Sequence, residues 1–298
     1  MLLGTAGDFS AVVLRALLES RAWVCAVALP GAPANEAATG LPAIPVAGAD
    51  ALSALAAAAG IPRERVAGFA DGHARERLAR HRPDLIVTAC FPYILPPWAL
   101  ALPAQGCLNV HPSLLPAYRG PAPLFWQMRS GERRTGVTLH WMTRAVDAGD
   151  ILGQRSLPIG AGDAAQAINV RLARLGGELV REVLQTLDRG ETPRAYPQDE
   201  AAASYFPWPD AADFELTTAW PAERAFRFIR GTQGWGRPYR IRGEAFALTV
   251  RSAGTFEMEA DLETTVREVG DALFIRFRPG VLRVAVSDVL ETEGRERS

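Results

Sequence analysis

The chain predicts an α/β fold, with a mostly parallel sheet covered by helices on both faces and a small β-rich domain at the C-terminus. Three observations carry this expectation. Short apolar runs alternate with helical patterns over the first 160 residues, the mark of βαβ units. Four prolines then punctuate residues 191–212. Beyond them, short strands joined by glycine-containing turns follow one another without long helices.

Taken in order, Met1–Leu3 is a strand stub, followed by the turn Gly4-Thr5-Ala6-Gly7 and a helical stretch with Val12, Val13, Leu17 and Leu18 on its apolar face. A first strand of three residues is short, which fits a true start upstream of Met1. Ala22–Leu29 is a continuous apolar run, as expected of a strand covered on both faces. Residues 30–47 are rich in Pro, Gly and Ala and read as a loop. Ala51–Ala59 predicts a helix, and Gly72–His81 a charged, exposed one that keeps His73 and His81 in solvent. Leu85–Ala89, Cys107–Val110 and Val137–Met142 predict further buried strands. From Asp163, apolar residues Ile168, Leu172, Leu175, Leu179, Val183 and Leu187 recur every three or four positions, so a long helix ends at Gly190. These signals divide the chain into a domain at 1–190, a linker at 191–212 and a β-rich domain at 213–298. The last holds a helix at Ala222–Ile229 and strands at 238–251, 262–269, 272–278 and 281–286, consistent with a partial, OB-like barrel. Trp126, Trp208, Trp220 and Trp235 read as packing residues.

Composition excludes several classes. Of 298 residues, 48% are hydrophobic and 22% charged, enough apolar surface to offset ordering entropy. No apolar stretch approaches the roughly 20 residues of a membrane span, and the N-terminus lacks a basic region before its apolar run. Three cysteines (Cys25, Cys90, Cys107) without a C-x-x-C pattern suggest neither a disulfide framework nor a thiolate metal site, so a reducing cytoplasm is the expected compartment. Every basic residue is arginine, and the net charge of −1 supplies no global attraction to nucleic acid.

One stretch concentrates chemistry. Asn109 and His111 alternate with Val110 at the end of a buried strand, so their side chains share a face, and Pro112 ends the strand at the sheet's carboxyl edge. A second strand runs into a loop with Asp147 ahead of Ala148-Gly149, with Asp150 as a rival carboxylate. An amide, an imidazole and a carboxylate at one sheet edge suit acyl transfer without a metal or a covalent nucleophile. Taken singly, an Asn or a His on a strand is more often a satisfied core polar group, and His140, inside a strand, reads as structural.

The combined pattern resembles the folate-dependent formyltransferases. Asn109–Gly120 matches N-x-H-P-S-L-L-P-x-Y-R-G, Gly136–His140 matches G-V-T-x-H, and Asp147–Gly149 matches D-x-G. Phe91–Leu95 followed by Pro96 resembles the family's formyl-tetrahydrofolate loop, Gly4–Gly7 its first turn, and residues 204–231 the opening of the second domain in its longer members. The resemblance implies a Rossmann-like sheet and N10-formyltetrahydrofolate as co-substrate, with no metal. It implies that Asn109 and His111 stabilise an oxyanion while Asp147 orients His111 and relays the amine's proton. It places the pteridine against backbone groups of Tyr93, Leu95, Met142, Thr143 and Arg144, between the side chains of Phe91 and Ile94. Ser113, Tyr118 and Arg119 lie in a loop that faces the acceptor in the family, or they shape that loop.

Two departures bear on the acceptor. Pro30–Pro45 carries no basic residue, and residues 201–298 hold 13 Arg against 15 Asp and Glu. The usual Met-Asp-x-Gly is also altered to Met142-Thr143-Arg144-Ala145. These favour a small amine: an amino sugar, an amino acid derivative or a peptide biosynthesis intermediate. The alternative is initiator methionyl-tRNA, gripped by a local patch of Arg224, Arg227, Arg230, Arg237, Arg240 and Arg242. A catalytically idle folate-binding module is a third reading, and the oligomeric state is open.

Overall fold

The computed structural model describes residues 1–31, 50–70 and 72–293, so most of the expected loop at 30–47 lies outside the described residues. Its residues form two compact units, one comprising 1–123, 134–158 and 168–207, the other 124–133, 159–167 and 208–298.

The first unit alternates β1 (Leu2–Gly4), α1 (Asp8–Leu18), β2 (Val27–Pro30), α2 (Ala51–Ala58), β3 (Arg63–Val66), α3 (Gly72–Ala79), β4 (Ile86–Ala89), α4 (Pro97–Leu100) and β5 (Cys107–His111). After α5 (Pro123–Ser130) come β6 (Arg134–Trp141), β7 (Ile151–Pro158) and α6 (Ala165–Asp188). The seven strands form one sheet in the order β3-β2-β1-β4-β5-β6-β7. Strands β3 to β5 are parallel, whereas β6 and β7 are antiparallel additions. The order reverses between β2-β1 and β4, a Rossmann-like switch point whose carboxyl edge is where open α/β sheets place ligands. The core is apolar on both faces of the parallel strands: Leu2, Leu3, Ala28 and Ile86 are fully buried.

The apolar run Ala22–Leu29 is strand only from Val27, and Trp23 is 89% exposed. A strand lasts as long as it has partners. Here β1 is three residues long, and its ladder with β2 spans only Leu2↔Val27 and Leu3↔Ala28. Within residues 191–207, Tyr196 exchanges both amide bonds with Ile151, and Ser204 and Phe206 pair with the loop at Pro116 and Arg119.

The second unit contains β8 (Glu215–Thr217), α7 (Ala222–Thr232), β9 (Tyr239–Arg242), β10 (Ala247–Val250), β11 (Thr255–Glu257), β12 (Val266–Val269), β13 (Ala272–Arg276), β14 (Val281–Ala285) and β15 (Val289–Glu293). They make two four-stranded sheets, β15-β10-β9-β8 and β11-β14-β13-β12. The strand expected at 238–251 is split by a turn in which the Gly243 amide bonds the Phe246 carbonyl. Phe125 packs at 5.1 Å from Phe214, 5.4 Å from Phe228 and 5.2 Å from Trp235, which draws the residues of α5 after Pro123 into this unit.

Candidate active site

Strand pleating puts Asn109 and His111 on one face at the carboxyl end of β5, and β5 pairs with β6 in the register Asn109↔His140. Thr88 on β4, opposite Asn109, donates its hydroxyl to Asn109 Oδ1 at 2.7 Å. This fixes the amide so that Nδ2 points to Asp147 Oδ1 at 3.1 Å and to His140 Nε2 at 3.3 Å.

The carboxylate arrives from the β6–β7 loop. Asp147 has φ +52°, a left-handed conformation that non-glycine residues rarely adopt. Two residues later, a Cβ on Gly149 would lie 1.8 Å from the Trp141 carbonyl oxygen, so the D-x-G spacing reflects a close backbone approach. Asp147 Oδ2 accepts the Gly120 amide at 2.9 Å and faces His111 Nδ1 at 3.6 Å, while Oδ1 faces His140 Nε2 at 3.7 Å. Gly120 also requires glycine: its φ is +112°, and a Cβ would meet the Phe206 carbonyl oxygen at 2.1 Å. Asp150 is exposed, so of the two candidate carboxylates it is Asp147 that meets the pair.

The acceptors around each ring assign its tautomer. His111 Nε2 lies 2.9 Å from the Tyr118 carbonyl, which can only accept, so Nε2 carries hydrogen and Nδ1, toward Asp147, is the nitrogen that titrates. His140 Nδ1 donates in the same way to the Trp141 carbonyl at 2.8 Å, leaving Nε2 to accept from Asn109. Burial pulls His111 below its ordinary value of 6.5, opposed by Asp147 and the Tyr118 carbonyl. Burial pushes the Asp147 carboxyl up, but His111 and the Gly120 amide outweigh it and hold it well below the usual carboxylate range. The site thus pairs an ionised carboxylate with an imidazole biased toward neutrality.

A group of aromatic side chains, packed edge to face, follows the end of β4. Phe91 lies 5.5 Å from Tyr93, both pack against Phe69, and Trp98 joins at 5.6 Å from Phe69. Ile94 presents a side chain 73% exposed, while Leu95 is buried. Met142 packs on the same apolar cluster and its amide bonds the Cys107 carbonyl, while Thr143 and Arg144 are exposed. Among the described residues, no group of three His, Cys, Asp or Glu is arranged to hold a metal.

The residues expected at the acceptor side sit differently. Ser113 is fully buried and donates its hydroxyl to the Ala117 carbonyl at 2.7 Å, so it closes the loop and does not face a ligand. Tyr118, at φ +62°, stacks on Phe206 with ring centroids 5.3 Å apart. The Arg119 guanidinium is buried and engaged by Gln198 and by both oxygens of Glu200. Sequence reasoning missed Thr88, His140 as a neighbour of Asp147, and Gln198. Only His140 carried a signal, its place in G-V-T-x-H.

Comparison with known proteins gives a consistent set of likenesses. The formyl transferase family model matches residues 46–184. A methionyl-tRNA formyltransferase of Stenotrophomonas maltophilia is 35% identical over 244 residues, 80% of this chain and 77% of that protein. The same enzyme of Moorella thermoacetica is 40% identical over 187 residues, 63% of this chain and 60% of that protein. The matches span 51–60% of the length of the first three curated relatives. Among solved structures, an N-formyltransferase from Helicobacter canadensis, in complex with folinic acid and dTDP-3-aminofucose, superposes with a TM-score of 0.67 at 17% identity, covering 97% of this chain and 98% of that one. HypX from Aquifex aeolicus in complex with tetrahydrofolic acid gives 0.57 at 17% identity, covering 99% of this chain and 44% of that one. These two likenesses are of fold. No described helix is long and apolar enough to cross a membrane.

Proposed function

The chain belongs to the folate-dependent formyltransferase family, and from that premise we propose that it transfers a formyl group from N10-formyltetrahydrofolate to the amine of initiator methionyl-tRNA. The observation that carries the chemistry is the meeting of Asn109, His111 and Asp147 at the sheet edge. The donor supplies a formyl carbon already bonded to a nitrogen leaving group. Attack by the neutral amine forms a new C–N bond as the bond to N10 breaks, so the amine loses one proton and N10 gains one. His111 takes the amine proton at Nδ1, since its Nε2–H is committed to the Tyr118 carbonyl. Asp147 stabilises the imidazolium so formed. Asn109 offers an N–H to the developing oxyanion, giving up its longer contact, the 3.3 Å bond to His140. The edge-to-face pair of Phe91 and Tyr93, with the exposed Ile94, supplies apolar surface for the pteridine.

The acceptor rests on the relatives: Stenotrophomonas and Geobacter proteins, matched over 77% and 68% of their length, are methionyl-tRNA formyltransferases. This reverses the order drawn from charge. One observation favours the second reading, a small amine. Within the second unit, Arg224 stacks over Trp220 at 3.9 Å and donates to the Arg129 carbonyl, Arg227 pairs with Glu223, and Arg242 pairs with Glu215. Arginines already held by their own chain are poorly placed to neutralise phosphates. Incubation with the formyl donor and either methionyl-tRNA or a panel of amino sugars and amino acid derivatives decides. Formyl-methionyl-tRNA is the expected product. Formylation of a small amine alone reverses the assignment, and the absence of tetrahydrofolate release with either acceptor leaves only folate binding.

A further inference from the structure

We propose that Gln198 is the positioning residue for Asp147, clamping the loop that carries this carboxylate to the guanidinium of Arg119. The inference deepens the formyl-transfer reading and rests on it for the meaning of Asp147.

The loop needs such a clamp. Asp147 sits in the left-handed region, and a residue stays there only when its surroundings over-determine it. Its carboxylate is fixed by Asn109 and Gly120, but these bonds do not restrain the peptide groups on either side of Ala148. Gln198 does. Its Nε2 donates to the Asp147 carbonyl and to the Gly149 carbonyl, each at 2.8 Å, so both amide hydrogens are spent on this one turn.

The other end of the amide is equally occupied. Gln198 Oε1 accepts from Arg119 Nε at 3.2 Å and from Arg119 Nη2 at 2.8 Å. Arg119 is itself held at both ends: its backbone bonds Ser204 and Phe206, and its guanidinium reaches both Glu200 oxygens. The positive charge of Arg119 at Oε1 polarises the amide in the direction that strengthens its donation to the two carbonyls. A relay therefore runs from Glu200 through Arg119 and Gln198 to the backbone of the loop. It explains why a buried arginine in the N-x-H…Y-R-G stretch serves the site without facing it.

The charged and titratable groups that face Asp147 are His111 from β5 and His140 from β6. Loosening the loop moves the carboxylate away from His111 Nδ1 and withdraws the interaction that opposes loss of its proton. A purely structural glutamine would alter stability and leave that titration unmoved.

The test compares wild type with Gln198→Glu and Gln198→Leu in the full chain. Gln198→Glu keeps an acceptor for Arg119 but sets carboxylate oxygens against two carbonyls, while Gln198→Leu removes both halves. The expected results are a His111 imidazole that titrates at lower pH by NMR in Gln198→Leu, which adds no charge, and a kcat lower by on the order of 10- to 100-fold in both variants. KM for the formyl donor should change by less than about twofold, because Gln198 touches none of the proposed ring-binding residues. Unchanged His111 titration and kcat in folded variants, with or without lost stability, overturns the proposal. Where Gln198→Leu does not fold, Gln198→Glu decides alone. A wild-type protein inactive toward every amine sinks the formyl-transfer reading, and the NMR comparison still judges the clamp.

Discussion

Two buried carboxylate–imidazole clusters in the first unit look alike in composition and differ in construction. Glu64 on β3 accepts from His81 Nε2 at 2.6 Å and from the Arg80 guanidinium through the same oxygen. Asp147 keeps His111 Nδ1 at 3.6 Å and spends its short bonds on the Gly120 amide and the Asn109 side chain. The first cluster is closed, with a guanidinium and an imidazole both bonded to one carboxylate oxygen. In the second, neutral donors hold the carboxylate, and its charge stays available to an imidazole that can gain a proton. The difference teaches that what makes such a pair chemical is not burial or residue type but which partners take the short bonds.

The largest effect expected from this contrast is in Asp147→Asn. Formyl transfer should fall on the order of 10²- to 10⁴-fold in kcat, measured with saturating donor, because the imidazolium loses its counter-charge. A residual rate close to wild type would mean that the two clusters are equivalent. Glu64→Gln should do the converse, leaving kcat within about twofold but lowering the free energy of unfolding by about 1.5–3 kcal/mol at pH 7. Burial raises the Glu64 carboxyl, but Arg80 and His81 bring its folded-state pKa below the ordinary 4.5. Its stabilisation is therefore present above 4.5 and fades as pH falls through the depressed value. Denaturant curves of the two proteins should accordingly converge in acid. The smallest effect is a displacement on the pH axis. Neutral His111 is the form that accepts a proton, so the acid limb of kcat/KM should lie below 6.5. It should move lower still in Asp147→Asn, which removes a group that raises the His111 pKa. A limb above 6.5 would contradict the assigned tautomer and role.

Much of this was legible before folding, for local reasons. Alternation of apolar runs with helical periodicity made the parallel sheet readable, because each strand and helix carries its own pattern. Asn109 and His111 were readable as a pair since residues two apart on a strand share a face, and Asp147 through its D-x-G spacing. The short β2 was not readable, because its length depends on how far β1 runs beside it. Thr88 and Gln198 were not readable either: one is 21 residues from the amide it fixes, the other 51 residues from the carbonyl it binds, and neither lies in a repeating pattern.

By itself, then, the order of residues determined which side chains end up at the carboxyl edge of the sheet, since strand pleat, proline stops and glycine turns act over a few bonds. Only the tertiary structure decided what each of them holds. It turned Arg119 and Ser113 inward, brought His140 to Asp147, and left His111 Nδ1 as the nitrogen free to titrate. Hydrogen bonds between distant segments form only when the whole unit closes, and it is those bonds that assign protons.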